Sequence, residues 1–340
     1  MSRRSINIAV VLGIIALLVA IIIIGEANNV FLYPTIRNEE QSADDNLIVV
    51  GVAQLGSESV WRTANTNSVQ DALVRENGFF LIMNNARQNQ DNQIKAVRNF
   101  ISQGVDYIVI APAKETGWDT VLDEAKAAGI PVILMDRNVD VKDKASYVTH
   151  VGSDMVEEGR KAGAWLEEQF PNPEEQINIV ILQGTLGSSA QIGREEGFFS
   201  VANKHDNWNI LEIANADFTT SKGKEEMARL LRQYEKIDVV VSENDDMTFG
   251  AVEAIKEAGR SVGVGQEITM ISFDACYDAL TMVYNGDINI DIECNPLLGE
   301  PIAEIIHKLE AGEKVSKEYP IEEQVFTKEN VEEALSNRTY

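Results

Sequence analysis

Charged and amide side chains stand directly after apolar runs at several points of the sequence. Asp136 and Arg137 follow "PVILM" without a gap, Asn244 follows "IDVVVSE", and Asp274 follows "ITMISF". A carboxylate accepts hydrogen bonds, a guanidinium donates them in a fixed fork, and an amide does both. Neighbouring hydroxyl groups of a sugar offer the matching donors and acceptors. These residue types therefore indicate a site for a ligand rich in hydroxyl groups.

The stretch "GSESVWR" brings Glu58, Trp61 and Arg62 within five positions, just after another apolar run. An indole covers the apolar C–H face of a sugar ring well. Glu58 and Arg62 can then bind hydroxyl groups at the edge of the same ring. The stretch therefore predicts a stacking residue with two polar contacts beside it.

Each of these residues also has a purely structural interpretation. Trp61 can be a core or lobe-packing residue, and Asp136–Arg137 can be a surface pair or a helix cap. Asn244 and Asp274 can each cap the helix that follows them. Their shared position after apolar runs favours the binding site, because independent surface residues would not share it.

Short apolar runs alternate with amphipathic segments from residue 47 onward. The runs are continuous rather than alternating, as expected of parallel strands covered on both faces. Several amphipathic segments end in a glycine, which favours the end of a helix. The order predicts an α/β fold with parallel sheets, and ten strands fit two sheets of about five better than one. The predicted strands are "LIVVGVA", "FFLIMN", "DYIVIAP", "PVILMD", "YVTHVG", "INIVILQG", "WNILEIA", "IDVVVSEN", "ITMISFD" and "INIDIE".

Ligands of open parallel sheets bind outside the carboxyl ends of the strands. The polar residues named above all fall at such ends. The stretch "GTLGSSAQIGREEGF" also follows a predicted strand, but it lacks the glycine and lysine spacing of a phosphate loop. We expect it to turn a helix N-terminus toward the cleft, with Arg194 pointing inward.

Composition argues against several classes of protein. The 54 acidic and 29 basic residues give a net charge of -25 at pH 7, which disfavours nucleic acid as a partner. The three histidines are scattered, and no nucleophile motif occurs. We therefore predict no metal site, no cofactor and no enzymatic activity. Cys276 and Cys294 are interpreted as small packing residues, with a disulfide between them as the alternative.

The first 25 residues form a segment of different character. Two arginines in "MSRR" precede an apolar run about one bilayer thick if helical. Basic residues before it and an acidic chain after it predict an N-terminus inside and the bulk of the chain outside. The run is long for a signal peptide and no clear cleavage site follows, which favours an uncleaved anchor over a cleaved signal. Residues 26–46 then form a polar tether.

Several blocks of the sequence resemble the bacterial periplasmic sugar-binding proteins of the ribose/galactose class, and among them those that bind galactofuranose for an ABC transporter. The resemblance covers about residues 47 to 320. The blocks are "VGVAQLGSESVWRTANTNSV", "NQIKAVRNFISQGVDYIVIAP", "DRNVDVKDK", "LQGTLGSSAQIGREEGF", "DFTTSKGKEEM", "ENDDMTFGAVEAIKEAG" and "SFDA".

The resemblance implies the type I periplasmic binding protein fold, in which two Rossmann-like lobes are joined by a hinge of three crossings and hold a sugar between them. It assigns residues 47–152 and about 295–320 to an N-terminal lobe. Residues 153–294 and about 321–340 then form a C-terminal lobe.

The resemblance also implies which residues contact the sugar. Phe218 forms an aromatic wall, and Glu293 is placed near the second crossing. Ile192 stands where ribose-binding members carry an arginine, which argues against ribose as the ligand. The implied contact residues are Glu58, Trp61, Arg62, Asp136, Arg137, Arg194, Phe218, Asn244, Asp274 and Glu293.

The function that the resemblance implies is binding of a monosaccharide outside the cytoplasmic membrane and its delivery to an ABC sugar permease. Transport members carry a cleaved signal or a lipid-anchored cysteine, and this chain has neither clear feature. A membrane-tethered sensor that reports the sugar to a histidine kinase or another receptor therefore stays open. In both cases, sugar that contacts both lobes stabilises the closed form by its differential affinity.

Overall fold

The computed structural model describes residues 47–340, of which residues 48–340 form one compact unit. The predicted anchor (1–25) and the predicted tether (26–46) both lie outside the described residues. Among the residues that are described, no helix combines the length and the apolar character needed to cross a bilayer.

Strands and helices alternate along the described chain, in the order that the apolar runs predict. The elements are β1 (Ile48–Gln54), α1 (Val60–Ala72), β2 (Phe79–Asn85), α2 (Gln90–Gln103), β3 (Tyr107–Ile110), α3 (Asp119–Ala127), β4 (Val132–Met135), β5 (Thr149–Gly152), α4 (Met155–Gln169), β6 (Ile177–Gln183), α5 (Ser189–Ala202), β7 (Trp208–Asn215), α6 (Thr220–Gln233), β8 (Val239–Ser242), α7 (Asp245–Glu257), β9 (Thr269–Asp274), α8 (Tyr277–Asn285), β10 (Ile290–Glu293), α9 (Gly299–Glu310), β11 (Glu318–Pro320), β12 (Val325–Thr327) and α10 (Val331–Asn337).

The strands form two six-stranded sheets. The first has the order β11-β5-β4-β3-β1-β2 and is parallel, and the second has the order β12-β10-β9-β8-β6-β7. Within the second sheet, β12 pairs antiparallel with β10, while the other pairs are parallel. The α/β class with two parallel-sheet lobes is confirmed. The edge strands β11 and β12 were not predicted, because each has three residues and neither forms a long apolar run.

Each sheet is covered on both faces, which explains why the strand sequences are continuously apolar. In β1, Val50 and Val52 pack with residues of α1 and α9 on one face. On the other face, Ala53 packs with residues of α2 and α3. Two further clusters of buried apolar residues include strand residues of the second sheet, among them Val180 in one cluster and Ile181 in the other. A strand with both faces buried needs apolar side chains at successive positions.

The chain passes between the two sheets three times within residues 47–340. These lobe crossings lie between β5 and α4 (153–154), between β10 and α9 (294–298), and between β11 and β12 (321–324). We refer to the part that contains β1 to β5 as the first lobe and the part that contains β6 to β10 as the second lobe. Because each crossing directly follows a strand, it lies next to the carboxyl ends that are expected to carry the site.

Helices α4 and α5 approach each other closely through glycines. A Cβ atom added to Gly159 would lie 2.0 Å from the carbonyl oxygen of Arg194, and one added to Gly197 would lie 1.9 Å from that of Val156. These contacts are with backbone atoms, which cannot move aside as a flexible side chain can. The glycines therefore fix the position of α5, the helix that carries Arg194.

We predict that Gly197→Ala lowers the free energy of unfolding by at least about 1 kcal/mol, because overpacking against a backbone carbonyl outweighs the better helix propensity of alanine. Urea unfolding followed by circular dichroism measures this change. The matched control is Glu196→Ala, an exposed position on the same helix, for which we expect a change within about 0.5 kcal/mol. Equal stability of the two variants would show that the helices can separate at no cost.

Candidate functional site

A small cavity lies between the two lobes, at the carboxyl ends of strands from both sheets. Four lining residues were not predicted (Ser59, Met155, Ala190 and Cys294), because small and apolar residues at such positions look like ordinary core residues. Nine of the ten predicted contact residues line it: Glu58, Trp61, Arg62, Asp136, Arg137, Arg194, Phe218, Asn244 and Asp274.

Arg62 organises the first-lobe wall of the cavity. Its Nη2 donates to Oδ2 of Asp136 at 2.6 Å, and its Nε donates to Oε1 of Glu58 at 3.1 Å. All three side chains are almost fully buried. Burial alone would lower the pKa of Arg62, but the Asp136 and Glu58 carboxylates raise it above its ordinary value. The two carboxylates are therefore held in place beside a buried positive charge.

One oxygen of Glu58 is unpaired. Its Oε2 atom is buried and has no hydrogen-bond partner among the described residues. Leaving a buried acceptor unpaired costs about 1–3 kcal/mol, so such an atom calls for a donor from outside the protein. A ligand hydroxyl group in the cavity can supply that donor.

Arg137 adds a guanidinium with donors to spare. Among the described residues, its Nη1 donates to the carbonyl oxygen of Ala113 at 3.2 Å, and its Nε lies 3.9 Å from Asp136. Burial and the nearby positive charge of Arg62 lower its pKa to about 10. The group therefore stays charged at neutral pH, and its remaining N–H groups can bind ligand oxygens.

Arg194 organises the second-lobe wall in the same way. Its Nε donates to Oε2 of Glu158 at 2.7 Å, its Nη2 donates to Oδ1 of Asp274 at 3.2 Å, and its Nη1 donates to the carbonyl oxygen of Glu243. Burial raises the pKa of Asp274 well above its usual range, and Arg194 opposes that shift. Arg194 points inward from α5, as the sequence predicted, and it touches both the cavity and the groups behind it.

Asn244 and Trp61 each combine a structural role with a place on the cavity wall. Oδ1 of Asn244 accepts the backbone N–H of Met247 and caps α7, which leaves its amide N–H groups for a ligand. Nε1 of Trp61 donates to the carbonyl oxygen of Cys294 at 2.5 Å, and the ring packs into a core cluster of the second lobe. The structural and the binding interpretations of these residues therefore do not exclude each other.

Three cavity residues have left-handed backbone conformations that non-glycine residues rarely adopt. The φ angles are 65° at Asp136, 59° at Phe218 and 110° at Asp274. Such conformations cost of order 1–3 kcal/mol each and persist where the surrounding structure holds them. At Asp136 and Asp274, the unusual backbone turns a side chain into the cavity directly after the end of an apolar strand.

Two buried carboxyl groups hold the turn that presents Asp274. Asp291 accepts the backbone N–H of Ala275 at 3.2 Å, and Asp245 accepts that of Cys276 at 2.8 Å and the hydroxyl of Ser272 at 2.6 Å. Burial raises the pKa of both aspartates, and each carboxyl group disfavours a second negative charge beside it. The pair therefore retains a proton at a pH where exposed aspartates have lost theirs.

Glu293, the tenth predicted contact residue, does not line the cavity. Its Oε1 accepts from Arg338 at 2.6 Å and from the hydroxyl of Tyr340 at 3.0 Å, and its Oε2 accepts the backbone N–H of Gln324 at 2.9 Å. It is the last residue of β10, and its carboxylate turns toward the C-terminal segment rather than toward the other lobe. The structure thus gives it a role in joining two crossings.

The two cysteines are free thiols in the structure. Both are buried and neither takes part in a disulfide. Cys276 lies in the core cluster of the second lobe, which agrees with its interpretation as a packing residue. Cys294 lies on the second lobe crossing and also lines the cavity.

Hydrogen bonds cross directly between the lobes at the rim of the cavity. The backbone N–H of Val60 donates to Asp246 at 3.0 Å, and that of Asn138 donates to the hydroxyl of Ser189 at 2.9 Å. The backbone N–H of Glu115 donates to the carbonyl oxygen of Gly187 at 2.9 Å. Burial raises the pKa of Asp246 to about 6, while the Val60 N–H opposes the shift. The lobes are therefore in a closed arrangement around the cavity.

Two parallel-sheet lobes, three crossings and a polar cavity between the lobes define a ligand-binding protein with the type I periplasmic binding protein fold. The family model described as "Periplasmic binding protein domain" matches residues 49–314. The chain belongs to this family.

Several known proteins are similar to this chain over most of their own length. The galactofuranose-binding protein YtfQ of Escherichia coli (strain K12) is 42% identical over 264 residues, which cover 77% of this chain and 81% of that protein. A solved structure of a protein from Mycobacterium smegmatis in complex with β-D-fucofuranose is 42% identical, with a TM-score of 0.82 over 85% of this chain and 94% of that chain. The fructose-binding periplasmic domain of the hybrid two-component system BT1754 is 25% identical, with a TM-score of 0.77 over 85% of this chain and 94% of that chain.

We predict that the Asp245–Asp291 pair makes stability depend on pH. The raised pKa values mean that the folded protein keeps a proton that the unfolded chain releases above its pKa of about 3.9. The stabilisation is thus complete below that pH and is lost as the pH rises toward neutrality. Asp291→Asn removes one of the two titrating groups and should reduce this loss by at least about 1 kcal/mol.

Urea unfolding between about pH 4.5 and pH 7 measures this dependence. Asp123→Asn changes an exposed aspartate of α3 and serves as the matched control. Parallel pH profiles for the two variants would contradict the shared proton.

Proposed function

We propose that this protein binds a monosaccharide in its furanose form, such as galactofuranose or a close relative, in the cavity between its lobes, and delivers it to an ABC sugar permease. Binding takes place outside the cytoplasm and without chemical conversion of the sugar. The relatives are named as binding proteins, and the cavity offers hydrogen-bonding and stacking groups suited to that task.

The observation that carries this proposal is the combination of unpaired polar groups and two aromatic rings on one small cavity. Glu58 has a buried acceptor without a partner, and Arg137 has donors without partners among the described residues. Trp61 and Phe218 line the same space. A guanidinium lies over one face of each ring, that of Arg62 over Trp61 and that of Arg137 over Phe218, and the remaining apolar surface can contact the C–H groups of a sugar ring. A neutral polyhydroxylated ring satisfies all of these groups, whereas a phosphate would meet the carboxylates of Glu58 and Asp136.

We infer the furanose form from the relatives. The Escherichia coli relative is named for galactofuranose, and the Mycobacterium smegmatis structure contains β-D-fucofuranose. Both are 42% identical to this chain over most of its length, and the cavity here is small. Nine residues are proposed as the sugar contacts: Glu58, Trp61, Arg62, Asp136, Arg137, Arg194, Phe218, Asn244 and Asp274.

Closure of the lobes is the proposed mechanism. A sugar that bonds to Glu58 and Arg137 on one lobe and to Asn244 and Asp274 on the other favours the closed form, because it contacts both lobes only in that form. The hydrogen bond from the Val60 N–H to Asp246 is then made at the same time. A permease can recognise the loaded protein by the closed arrangement.

The second candidate function is a sensor that reports sugar to a membrane receptor. It rests on the similarity to the periplasmic domain of a hybrid two-component system and on the N-terminal apolar run, which we propose as an uncleaved anchor that holds the binding unit at the outer face of the membrane. Loss of labelled-sugar uptake on deletion of the gene supports delivery to a permease. Intact uptake together with loss of sugar-induced transcription supports the sensor.

We predict that Asp136→Ala weakens sugar binding by at least about tenfold, because it removes a sugar acceptor and leaves the buried Arg62 without one of its two carboxylates. Isothermal titration of the full-length chain with methyl galactofuranoside, L-arabinose, D-fucose and D-ribose measures the affinities. Asp123→Ala, at an exposed position of α3, is the matched control and should bind as the unaltered protein does. Unchanged affinity in Asp136→Ala, or no binding of any sugar by the unaltered protein, would contradict the proposed function.

A further inference from the structure

A second cluster of acidic and thiol groups lies at the lobe crossings, behind the cavity. Glu158 of α4, Cys294 of the second crossing and Glu323 of the third crossing each offer a ligand atom, and these atoms lie within 4.8 Å of one another. Ser153 of the first crossing contacts Sγ of Cys294 at 3.3 Å and also donates to Oε1 of Glu323. All three crossings therefore meet at this point.

In each of the two carboxylates of the cluster, hydrogen bonding at one oxygen orients the group. Oε2 of Glu158 accepts from Nε of Arg194 at 2.7 Å, and Oε1 of Glu323 accepts the backbone N–H of Asn295 at 3.0 Å. Glu158 is fully buried, and its other oxygen, Oε1, makes no hydrogen bond of ordinary geometry with the described residues. Cys294 and Glu323 are its neighbours in the cluster. Carboxylates that ligate a metal are typically held by such a hydrogen bond at one oxygen, since the outer contact orients the group.

The charges of the cluster require compensation. Arg194 is the cation that pairs with Glu158, and it is shared with Asp274. Lys161 reaches the backbone oxygen of Glu323 at 3.3 Å rather than its carboxylate. Among the described residues, the Glu323 carboxyl group thus has no ion-pair partner, and either a proton or a bound cation must neutralise it.

We propose that Glu158, Cys294 and Glu323 form a binding site for a thiophilic divalent cation, with Zn²⁺ as its representative. A thiolate with two carboxylates is a ligand set for zinc rather than for Mg²⁺ or Ca²⁺, which prefer oxygen alone. Zinc lies about 2.3 Å from sulfur and about 2.0–2.2 Å from oxygen, so its ligand atoms are roughly 3.3–3.8 Å apart. The cluster reaches this geometry by a contraction of at most about 1.5 Å, and water or the Ser153 hydroxyl completes the shell.

A cation at this position ties the second and third crossings to α4. The crossings change direction when two lobes open or close, so the ion holds the hinge in the geometry seen here. Its binding displaces the proton of the Cys294 thiol, since a thiolate is the form that coordinates.

The test is a titration of the full-length, chelator-treated chain in mild detergent with Zn²⁺ and, separately, with Cd²⁺. Zinc binding is measured by competition with a chromophoric chelator, and cadmium binding by the ultraviolet charge-transfer band of a cadmium–thiolate bond. We expect one equivalent of each ion to bind, and the cadmium band to appear in step with it. Cys294→Ser should abolish the band and weaken zinc binding by at least tenfold.

Cys276→Ser is the matched control, because Cys276 is the other buried free thiol and lies outside the cluster. It should bind both ions as the unaltered chain does. Glu323→Gln, which keeps the size of the side chain, provides a second variant that leaves the thiol in place, and it should weaken zinc binding at least tenfold while the cadmium band persists at saturation. Thermal unfolding identifies any variant that does not fold.

Three results would overturn the proposal. These are no stoichiometric zinc binding by the unaltered chain, a cadmium band that is lost equally in Cys276→Ser, and zinc affinity that is unchanged in Glu323→Gln. In each case the ion does not bind at the cluster. Sugar affinity is not a readout of this experiment, so its outcome is independent of the proposed function.

Discussion

Two buried arginines pair with the carboxylates of the cavity walls and hold both walls together. Arg62 lies between Glu58 and Asp136, and Arg194 joins Asp274 to a carboxylate behind the cavity wall. A buried charge that loses its partner costs about 3–5 kcal/mol, so neither arginine can be separated from its carboxylates without a large penalty. The walls are therefore rigid before any ligand arrives. A ligand meets acceptors and donors that are already oriented, and little free energy is spent on arranging them.

Much of the fold follows from the sequence because its signals are local. Continuous apolar runs such as Val132–Met135 require a strand with both faces covered, and the alternation with helices then fixes the α/β class. The rule that ligands bind at the carboxyl ends of parallel strands brought Asp136, Asn244 and Asp274 together correctly, although they lie far apart in the chain. The resemblance to sugar-binding proteins added Phe218, which no pattern of spacing would have found.

Other features could not be predicted because they depend on the direction of one side chain or on a distant partner. Glu293 ends a predicted strand just as Asp274 does, but its carboxylate points to Arg338 and Tyr340, which follow it by more than forty residues. The meeting of Glu158 with Glu323 also arises from tertiary packing alone. Trp61 shows a different limit, since the sequence offered stacking and packing as alternatives, and the structure places this residue both in a core cluster and on the cavity wall.

The position of Trp61 also gives the molecule an optical property. The sequence contains four tryptophans, and Trp118 and Trp208 are buried within single lobes. The indole of Trp61 belongs to a first-lobe helix, lies among second-lobe side chains and is hydrogen-bonded to the carbonyl oxygen of Cys294. Separation of the lobes would expose this indole to water and shift its emission to longer wavelength. The emission wavelength of this tryptophan thus reports the separation of the two lobes without any attached dye.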